Sequence, residues 1–460
     1  MTTEPTSTDV LDVPRPDVVP PEPYTFPEAA RRTLPNGLEV VAYDVPGQYV
    51  HSVRLSVPLP LSREPKDKEG LATIMARTLD EGTARHSSSQ FAQLLERKGV
   101  ALGAGVAEAG LSVDVDVAKG NLAYALDLLR QCLTEPAFPA AEVARHVKQR
   151  LAEIEQERSV AAQRGAIELI ATYFDPGERA SRPTAGRRES VRTVTRDDVV
   201  GFHASQVSPT GATVVIAGDL DGVDAFAEIE QALGGWVAPD GSMPSPPPVA
   251  AAPAADRARI VFIDRPASVQ TEFAVACPGP DRGAKGGWAP FPVLGFVVGG
   301  SPNARVDAVL REEKGFTYGI RSVFRPRPRG GMFLTSGSVR ADSTVEALRL
   351  LLDLLDSGRE GFTEQEAREG VDFIAMTAPS RYATADAIAD EAAALALEGL
   401  TTEFTTANLR DLANVDAARM HAAYRSFVEG QWTVVVVGDA SAHADGVRGL
   451  GRGDVTLITS

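Results

Sequence analysis

A repeat of a whole unit is the feature of this 460-residue sequence that most limits its possible folds. Apolar runs at 212–219 and 432–439 both end in Gly-Asp, 220 residues apart. A helical pattern and a polar turn precede each run, and each half opens with strand-like sequence, at 40–57 and 260–276. A period this long indicates duplication of a complete α/β unit. The alternative is that two buried strands end alike by coincidence.

Composition before and between the repeats indicates the domain boundaries. Residues 1–26, rich in Pro, Thr and Asp without period, predict a disordered leader, and the Pro/Ala-rich stretch 238–256 predicts a linker. This leaves an N-terminal half at 27–237 and a C-terminal half at 257–460. Strands mix with long helical stretches, and β-α-β alternations are few. We expect an α+β fold in which two homologous α/β halves form a clam shell, each with helices on a mixed, largely antiparallel sheet.

Charge and composition exclude several classes of function. A net charge of −16 opposes phosphate binding, and no run of 18 apolar residues predicts a membrane span. The N-terminus lacks the basic and apolar regions of a signal peptide. Cys132 and Cys277 lie in different halves, which favours two buried thiols over a disulfide. We therefore expect a cytoplasmic protein without nucleic-acid or membrane partners.

The amphipathic pattern of the segment Gly70–Gly82 predicts a helix. It resembles the helix that carries His-x-x-Glu-His in the pitrilysin/insulinase family of metallopeptidases, the inverzincins. In that family the histidines bind zinc, the glutamate activates water, and a further glutamate ligand follows about 75 residues later. The corresponding positions here are Thr73, Ala76 and Arg77, while Glu153 lies 76 residues after Arg77.

All three motif positions depart from the pattern in ways that oppose zinc. Threonine is a poor neutral ligand, alanine accepts no proton, and arginine has a fixed positive charge and no lone pair. One carboxylate cannot hold a catalytic zinc ion, so we predict no catalytic metal in this chain. Arg77 is expected either to pair with Glu153 in place of the metal or to leave Glu153 pointing to solvent. The resemblance extends over residues 30–445, including the segment 182–199 and both Gly-Asp ends.

The second half contains a glycine loop with Gly299 and Gly300, followed by a helix that we expect to end at Lys314-Gly315. Arg311 falls in its last turn, and Tyr318 begins the next predicted strand. The resembled family has an Arg and a Tyr seven positions apart here, which reach the zinc site. The resemblance implies that Tyr318 stabilises the oxyanion and that Arg311 holds a substrate carbonyl. The alternative is a surface salt bridge for Arg311 and core packing for Tyr318.

An extended peptide is the substrate that the resemblance implies, and it would pair with the edge of a sheet. The candidate edge is the segment 100–106, and we assign substrate binding to its residues and to the glycine loop: Leu102, Gly103, Ala104, Gly105, Gly299 and Gly300. An ordinary paired strand is the alternative. Arg325, Arg327 and Arg329 form a basic run that suits either an acidic peptide or a solvated hairpin.

Three functions remain open on the sequence. The chain resembles the zinc-lacking subunit of bacterial two-subunit members of the family, which supplies the Arg/Tyr pair to a homologous, zinc-bearing partner. The resemblance then implies a heterodimeric peptidase with zinc only in the partner and no cofactor in this chain. The alternatives are a non-catalytic scaffold related to processing peptidases and a self-sufficient enzyme that uses other residues.

Overall fold

The computed structural model of the chain describes residues 19, 24–237, 258–327 and 330–459. The predicted linker, 238–256, and most of the predicted leader lie outside the described residues. At the end of that leader, Tyr24 stacks on Tyr382 with ring centroids 5.8 Å apart, and Phe26 contacts the same ring at 5.1 Å. Tyr24, which is half-buried, and Phe26, which is buried, therefore pack against the C-terminal half although the sequence assigns both to the leader.

Each half contains one six-stranded sheet, in the order β1-β2-β6-β3-β5-β4 and β12-β7-β11-β8-β10-β9. The strands are β1 (Ala30–Thr33), β2 (Glu39–Asp44), β3 (Val50–Pro58), β4 (Ala101–Val106), β5 (Gly110–Ala118), β6 (Thr213–Gly218), β7 (Arg259–Asp264), β8 (Gln270–Gly279), β9 (Ile320–Arg325), β10 (Gly331–Arg340), β11 (Thr433–Gly438) and β12 (Asp454–Ile458). Five strands correspond between the halves in position and order. The sixth does not: β1 pairs antiparallel with β2, whereas β12 pairs parallel with β7.

Both sheets are mixed and largely antiparallel, as the sequence predicts. The parallel pairs are β2 with β6 in the first sheet, and β7 with β11 and β12 in the second. The remaining neighbours run antiparallel, and β4 and β9 each have only one partner among the described strands. The two halves therefore present equivalent edge strands.

Helices surround the sheets. They are α1 (Leu71–Arg77), α2 (Ser88–Lys98), α3 (Leu122–Thr134), α4 (Ala140–Ser159), α5 (Ala161–Tyr173), α6 (Arg188–Val191), α7 (Arg196–Gln206), α8 (Ala225–Leu233), α9 (Pro290–Gly295), α10 (Arg305–Asp307), α11 (Thr344–Ser357), α12 (Glu364–Arg381), α13 (Ala385–Leu397), α14 (Thr402–Asp411), α15 (Ala417–Arg425) and α16 (Ala440–Gly449). Two short segments, Phe296–Gly300 and Ala308–Glu313, adopt wider π-helical turns beside α9 and α10.

Each half contributes one helix to the sheet of the other half. Helix α13 packs on β3 and β6 of the first sheet, and α5 packs on β8 and β11 of the second. Small residues permit the close approach: a side chain at Gly165 would lie 3.3 Å from Val437, and Ala389 of α13 is fully buried. The central strands β6 and β11 are therefore covered on both faces, which explains why all six residues of each are buried.

Candidate functional site

Helix α1 holds the three positions where the resembled family has its zinc motif. A left-handed Gly70 precedes it at φ +100°, and a side chain there would lie 2.8 Å from the carbonyl oxygen of Ala185. The Glu64 carboxylate accepts hydrogen bonds from the backbone amides of Gly70 and Ala72, both at 2.9 Å, so it caps the first turn. Sequence inspection missed this cap, although a carboxylate just before a helix is favourable at its positive end.

The motif positions themselves carry no zinc-binding set. Ala76 is buried, and the buried Thr73 hydroxyl oxygen has no hydrogen-bond partner among the described residues. Arg77 directs its Nη1 to both carboxylate oxygens of Glu153, each at 2.9 Å. A guanidinium group thus occupies the space beside the one carboxylate that could act as a ligand. These residues do not fit a zinc ion.

Glu153 lies on α4 within a larger ionic network. It also accepts hydrogen bonds from Gln149 at 3.1 Å and from Arg150 at 3.3 Å, and Arg150 in turn binds Glu157. Partial burial alone would raise the pKa of Glu153, but the hydrogen bonds and positive charge of Arg77 and Arg150 outweigh it and hold the pKa below its usual value. The carboxylate therefore stays ionised and engaged by cations of its own chain.

Arg311 and Tyr318 lie at the two ends of one turn in the C-terminal half. Gly315 makes the turn with φ +62°, and its amide donates a hydrogen bond to the carbonyl of Arg311 at 3.0 Å. Tyr318 is 94% exposed and lies two residues before β9, not on the strand as predicted. Arg311 is partly exposed and contacts Glu312 at 3.2 Å. Tyr318 therefore does not pack in the core.

Asp307 holds the turn from Arg311 to Tyr318 in place, and sequence inspection missed this residue. Its fully buried carboxylate accepts a hydrogen bond from the amide of Ile320 at 2.9 Å and one from the Arg321 side chain at 2.6 Å. The Thr317 hydroxyl adds a bond to the carbonyl of Ser338 at 2.6 Å. The residues on both sides of Tyr318 are thus held in place while its own side chain extends into solvent.

The predicted substrate-binding residues fall in two places. Leu102, Gly103, Ala104 and Gly105 lie on β4, which is an edge strand, and Gly103 has open space where a side chain would be. Gly300 is exposed, whereas Gly299 is buried against β9, where a side chain would come within 2.5 Å of the Ser322 hydroxyl. Close packing accounts for Gly299, and its role in substrate binding stays a prediction.

The two candidate regions belong to separate parts of the chain. Helix α1 packs against α4, α7 and β4, all in the N-terminal half, whereas the segment 308–313 packs against α10 and α11 in the C-terminal half. Arg327, from the predicted basic run, does join the halves: it binds Glu108 and covers the Phe174 ring at 4.1 Å. Arg329 of that run lies outside the described residues.

Comparison with known proteins identifies the family. The profile of the insulinase family (peptidase family M16) matches residues 40–178, and that of the peptidase M16 inactive domain matches residues 193–372. The chain belongs to the M16 peptidase family. Within the family, its first half lacks all three residues of the His-x-x-Glu-His motif.

Relatives and solved structures support the assignment. An uncharacterized zinc protease of Mycobacterium tuberculosis H37Rv is 25% identical over 348 residues, 75% of this chain and 78% of the relative. The non-peptidase homolog YmxG of Helicobacter pylori is 24% identical over 327 residues, 69% of this chain and 72% of the relative. The crystal structure of a peptidase M16 inactive domain from Pseudomonas fluorescens has a TM-score of 0.82 at 22% identity, covering 90% of this chain and 98% of that one. A protease from H. pylori gives 0.81 at 16% identity, covering 90% and 100%.

Three further observations concern the described part of the chain only. No three His, Cys, Asp or Glu side chains there are grouped so that they could hold a metal ion. None of the helices in residues 24–237, 258–327 and 330–459 is long and apolar enough to cross a membrane. Cys132 and Cys277 are both buried, and no disulfide joins them.

Proposed function

We propose that this chain is the zinc-free subunit of a two-subunit M16 peptidase and supplies Arg311 and Tyr318 to the active site of a homologous, zinc-bearing partner. The observation that carries the proposal is the exposed side chain of Tyr318 on a turn whose backbone is held by hydrogen bonds. Asp307 and Thr317 hold the backbone on both sides, yet Tyr318 is 94% exposed and its hydroxyl has no hydrogen-bond partner among the described residues. A hydroxyl that is held in place and has no partner in the described part of the chain is suited to a reaction that takes place on another chain.

The state of the motif helix agrees with this division of labour. Arg77 and Glu153 close the position where the partner would hold zinc, so this chain contributes no metal. In the assembled enzyme, the Tyr318 hydroxyl would donate a hydrogen bond to the developing oxyanion, and the Arg311 guanidinium would donate to a substrate carbonyl. Preorganised donors of this kind stabilise the transition state because negative charge grows on the oxygen that they face.

The substrate in this proposal is a peptide in extended form. The β4 edge, with Leu102 to Gly105, has no strand neighbour on one side among the described strands, so it suits main-chain pairing with a peptide. The buried cysteines without a disulfide agree with the cytoplasm as the compartment that we expect for both subunits.

The test is reconstitution with a homologous chain that carries an intact His-x-x-Glu-His motif. We expect peptide hydrolysis to require both chains and to disappear on chelation of zinc. Tyr318→Phe should lower kcat by a factor on the order of 10² to 10³, as loss of one oxyanion donor does in other hydrolases. Tyr49→Phe is the matched control, because Tyr49 is also exposed, at 65%, but lies in the other half.

Two results would overturn this proposal. One is full activity of the zinc-bearing chain alone, and the other is an unchanged kcat for Tyr318→Phe. A scaffold role is the second candidate, and the name of the H. pylori relative, a non-peptidase homolog, favours it. A scaffold would bind its partner with equal strength in the Tyr318→Phe variant and would show no effect of that variant on hydrolysis.

A further inference from the structure

A cavity of about 860 Å³ lies where the two halves meet, and neither the zinc-motif positions with Glu153 nor Arg311 and Tyr318 line it. Leu169 of α5 and Phe174, the residue that follows this helix, line its wall together with Met332 and Leu334 of β10 and Leu397 of α13. The space is therefore lined by elements of both halves and is largely apolar. Such a concave, preformed site with a few polar groups is the usual setting for binding a small ligand.

Most charges around the cavity are neutralised by the chain itself. Arg179 binds Glu64 at 2.9 Å, Arg182 binds Glu69 at 2.7 Å, and Arg327 binds Glu108. Each of these arginines is already paired with a glutamate, so the cavity has no unpaired arginine among the three to attract an anionic ligand. The charged groups that remain for a ligand are few.

Glu272 is the exception in the cavity wall. It lies on β8, and its carboxylate has no hydrogen bond or ion pair with any described residue. Ala274, two positions on, points to the same face and packs in the cluster that contains α5. Burial raises the pKa of the Glu272 carboxyl above its usual value. An ionised carboxylate at this position would be stabilised by a cation that shares the low-dielectric space.

The other charged residues without partners do not serve this role. Arg325 lies opposite Met332 in the sheet, whereas Glu272 lies opposite Ser338. Six residues of strand separate these levels, or about 20 Å at ~3.3 Å per residue. Glu178 is exposed at the cavity wall and carries the same sign as Glu272. Arg340, two residues beyond Ser338 on β10, binds Asp342 at 3.2 Å, and no basic side chain among the described residues forms an ion pair with Glu272.

We propose that this cavity binds a ligand with an apolar body and a basic nitrogen, and that Glu272 is the counter-ion of that nitrogen. The apolar wall would bury the body of the ligand, and the carboxylate would set its orientation and its preference for positive charge. A free amine and the lysine side chain of a peptide share this chemistry. The inference is independent of the partner subunit, since the cavity is complete within one chain.

Fluorescence titration of the full chain with matched probes tests the proposal. The probes are a dansyl group on a five-carbon chain that ends in a primary amine, a hydroxyl or a carboxylate. We expect the amine to bind at least 10-fold more tightly than the hydroxyl. Glu272→Gln should reduce that ratio to about 2-fold or less while the circular dichroism spectrum and Tm are retained. Glu178→Gln, the control, should keep the full ratio.

A second pair of probes distinguishes the source of the nitrogen. A blocked leucine peptide with one central lysine is compared with the same peptide carrying norleucine. Preference for the positive member in either pair, lost in Glu272→Gln, supports the proposal. Equal binding within both pairs, tightest binding of the carboxylate, or no binding at all overturns it. So does undiminished binding by Ala166→Trp, which fills the cavity from an exposed position on α5.

Discussion

Arg54 is the side chain whose removal most directly tests how the two halves hold together. It lies on β3, is only 7% exposed, and reaches across the sheet to α13 of the other half. Its Nε donates to Asp390 on that helix at 2.6 Å, and its Nη1 donates to Asp116 on β5 at 3.0 Å. Replacement by methionine keeps most of the volume of the stem and removes both bonds to carboxylates, together with two longer bonds from Nη1 to the carbonyl oxygens of Val53 and Val115.

The structure sets the size of the expected loss. A hydrogen bond to a charged group contributes roughly 1.5–3 kcal/mol. The carboxylates of Asp390 and Asp116 are 62% and 38% exposed, so water solvates them once the guanidinium is gone, and the lower end of that range applies. The two bonds to carboxylates alone then give about 3 kcal/mol for Arg54→Met. The cost would be higher if the abandoned carboxylates were buried.

Urea unfolding measures this difference. Far-ultraviolet circular dichroism and tryptophan fluorescence are followed together, because coincident curves show that one transition is being observed. Arg349→Met is the matched control. Arg349 forms an exposed ion pair with Asp353 within α11, with side chains 48% and 44% exposed, and its loss should cost about 0.5 kcal/mol or less. A destabilisation by Arg54→Met that is no larger than the control would refute the reasoning.

Three further predictions concern the candidate site. The pKa of Glu153 is lower in the folded state than in the unfolded state, so ionised Glu153 stabilises the fold above its unfolded-state pKa of about 4.3, and this stabilisation is lost as the pH falls through its folded-state pKa. Between pH 6 and pH 3, the free energy of unfolding should therefore fall less in Arg77→Met than in the wild type. The triple variant Thr73→His, Ala76→Glu, Arg77→His should bind about one zinc ion per chain by elemental analysis, because it places two imidazoles one helical turn apart beside Glu153, and a double variant that keeps Arg77 should bind none. Asp307→Ala should lower the free energy of unfolding by about 3 kcal/mol, because it leaves the buried amide of Ile320 without an acceptor and removes the carboxylate that pairs with Arg321. An unchanged midpoint in urea would contradict the role of Asp307 in holding the turn before β9.

Local patterns in the sequence predict much of this fold. Apolar spacing predicts a helix over 122–133, and α3 spans Leu122–Thr134. The two valine-rich runs appear as β6 and β11, each one residue shorter at both ends. The exchange of α5 and α13 between the halves could not be predicted, because the apolar face of a helix does not specify which of two similar sheets it covers.

The candidate site shows where local patterns stop being informative. The helix predicted to reach Gly82 ends at Arg77, because the Thr78 hydroxyl bonds the carbonyls of Ile74 and Met75 and the chain turns away. The pair of Arg77 with Glu153 is one of the two outcomes that the family resemblance leaves open. The ionic network adds Arg150, three residues before Glu153 on the same face of α4, and sequence inspection did not single it out because charged pairs at this spacing are common on helix surfaces.

The exchange of α5 and α13 between the two halves has a consequence for how the chain assembles. Two copies of one unit that each cover the other's sheet have the geometry of a domain-swapped twofold dimer. Such a dimer dissociates on dilution, and each separated unit would expose the valine face of its central strand. Joining both units in one polypeptide makes the exchange intramolecular, so the covering of β6 and β11 no longer depends on protein concentration. Residues 24–237 and 258–459, produced as two separate proteins, should each be prone to aggregate alone and should recover a common fold only when mixed.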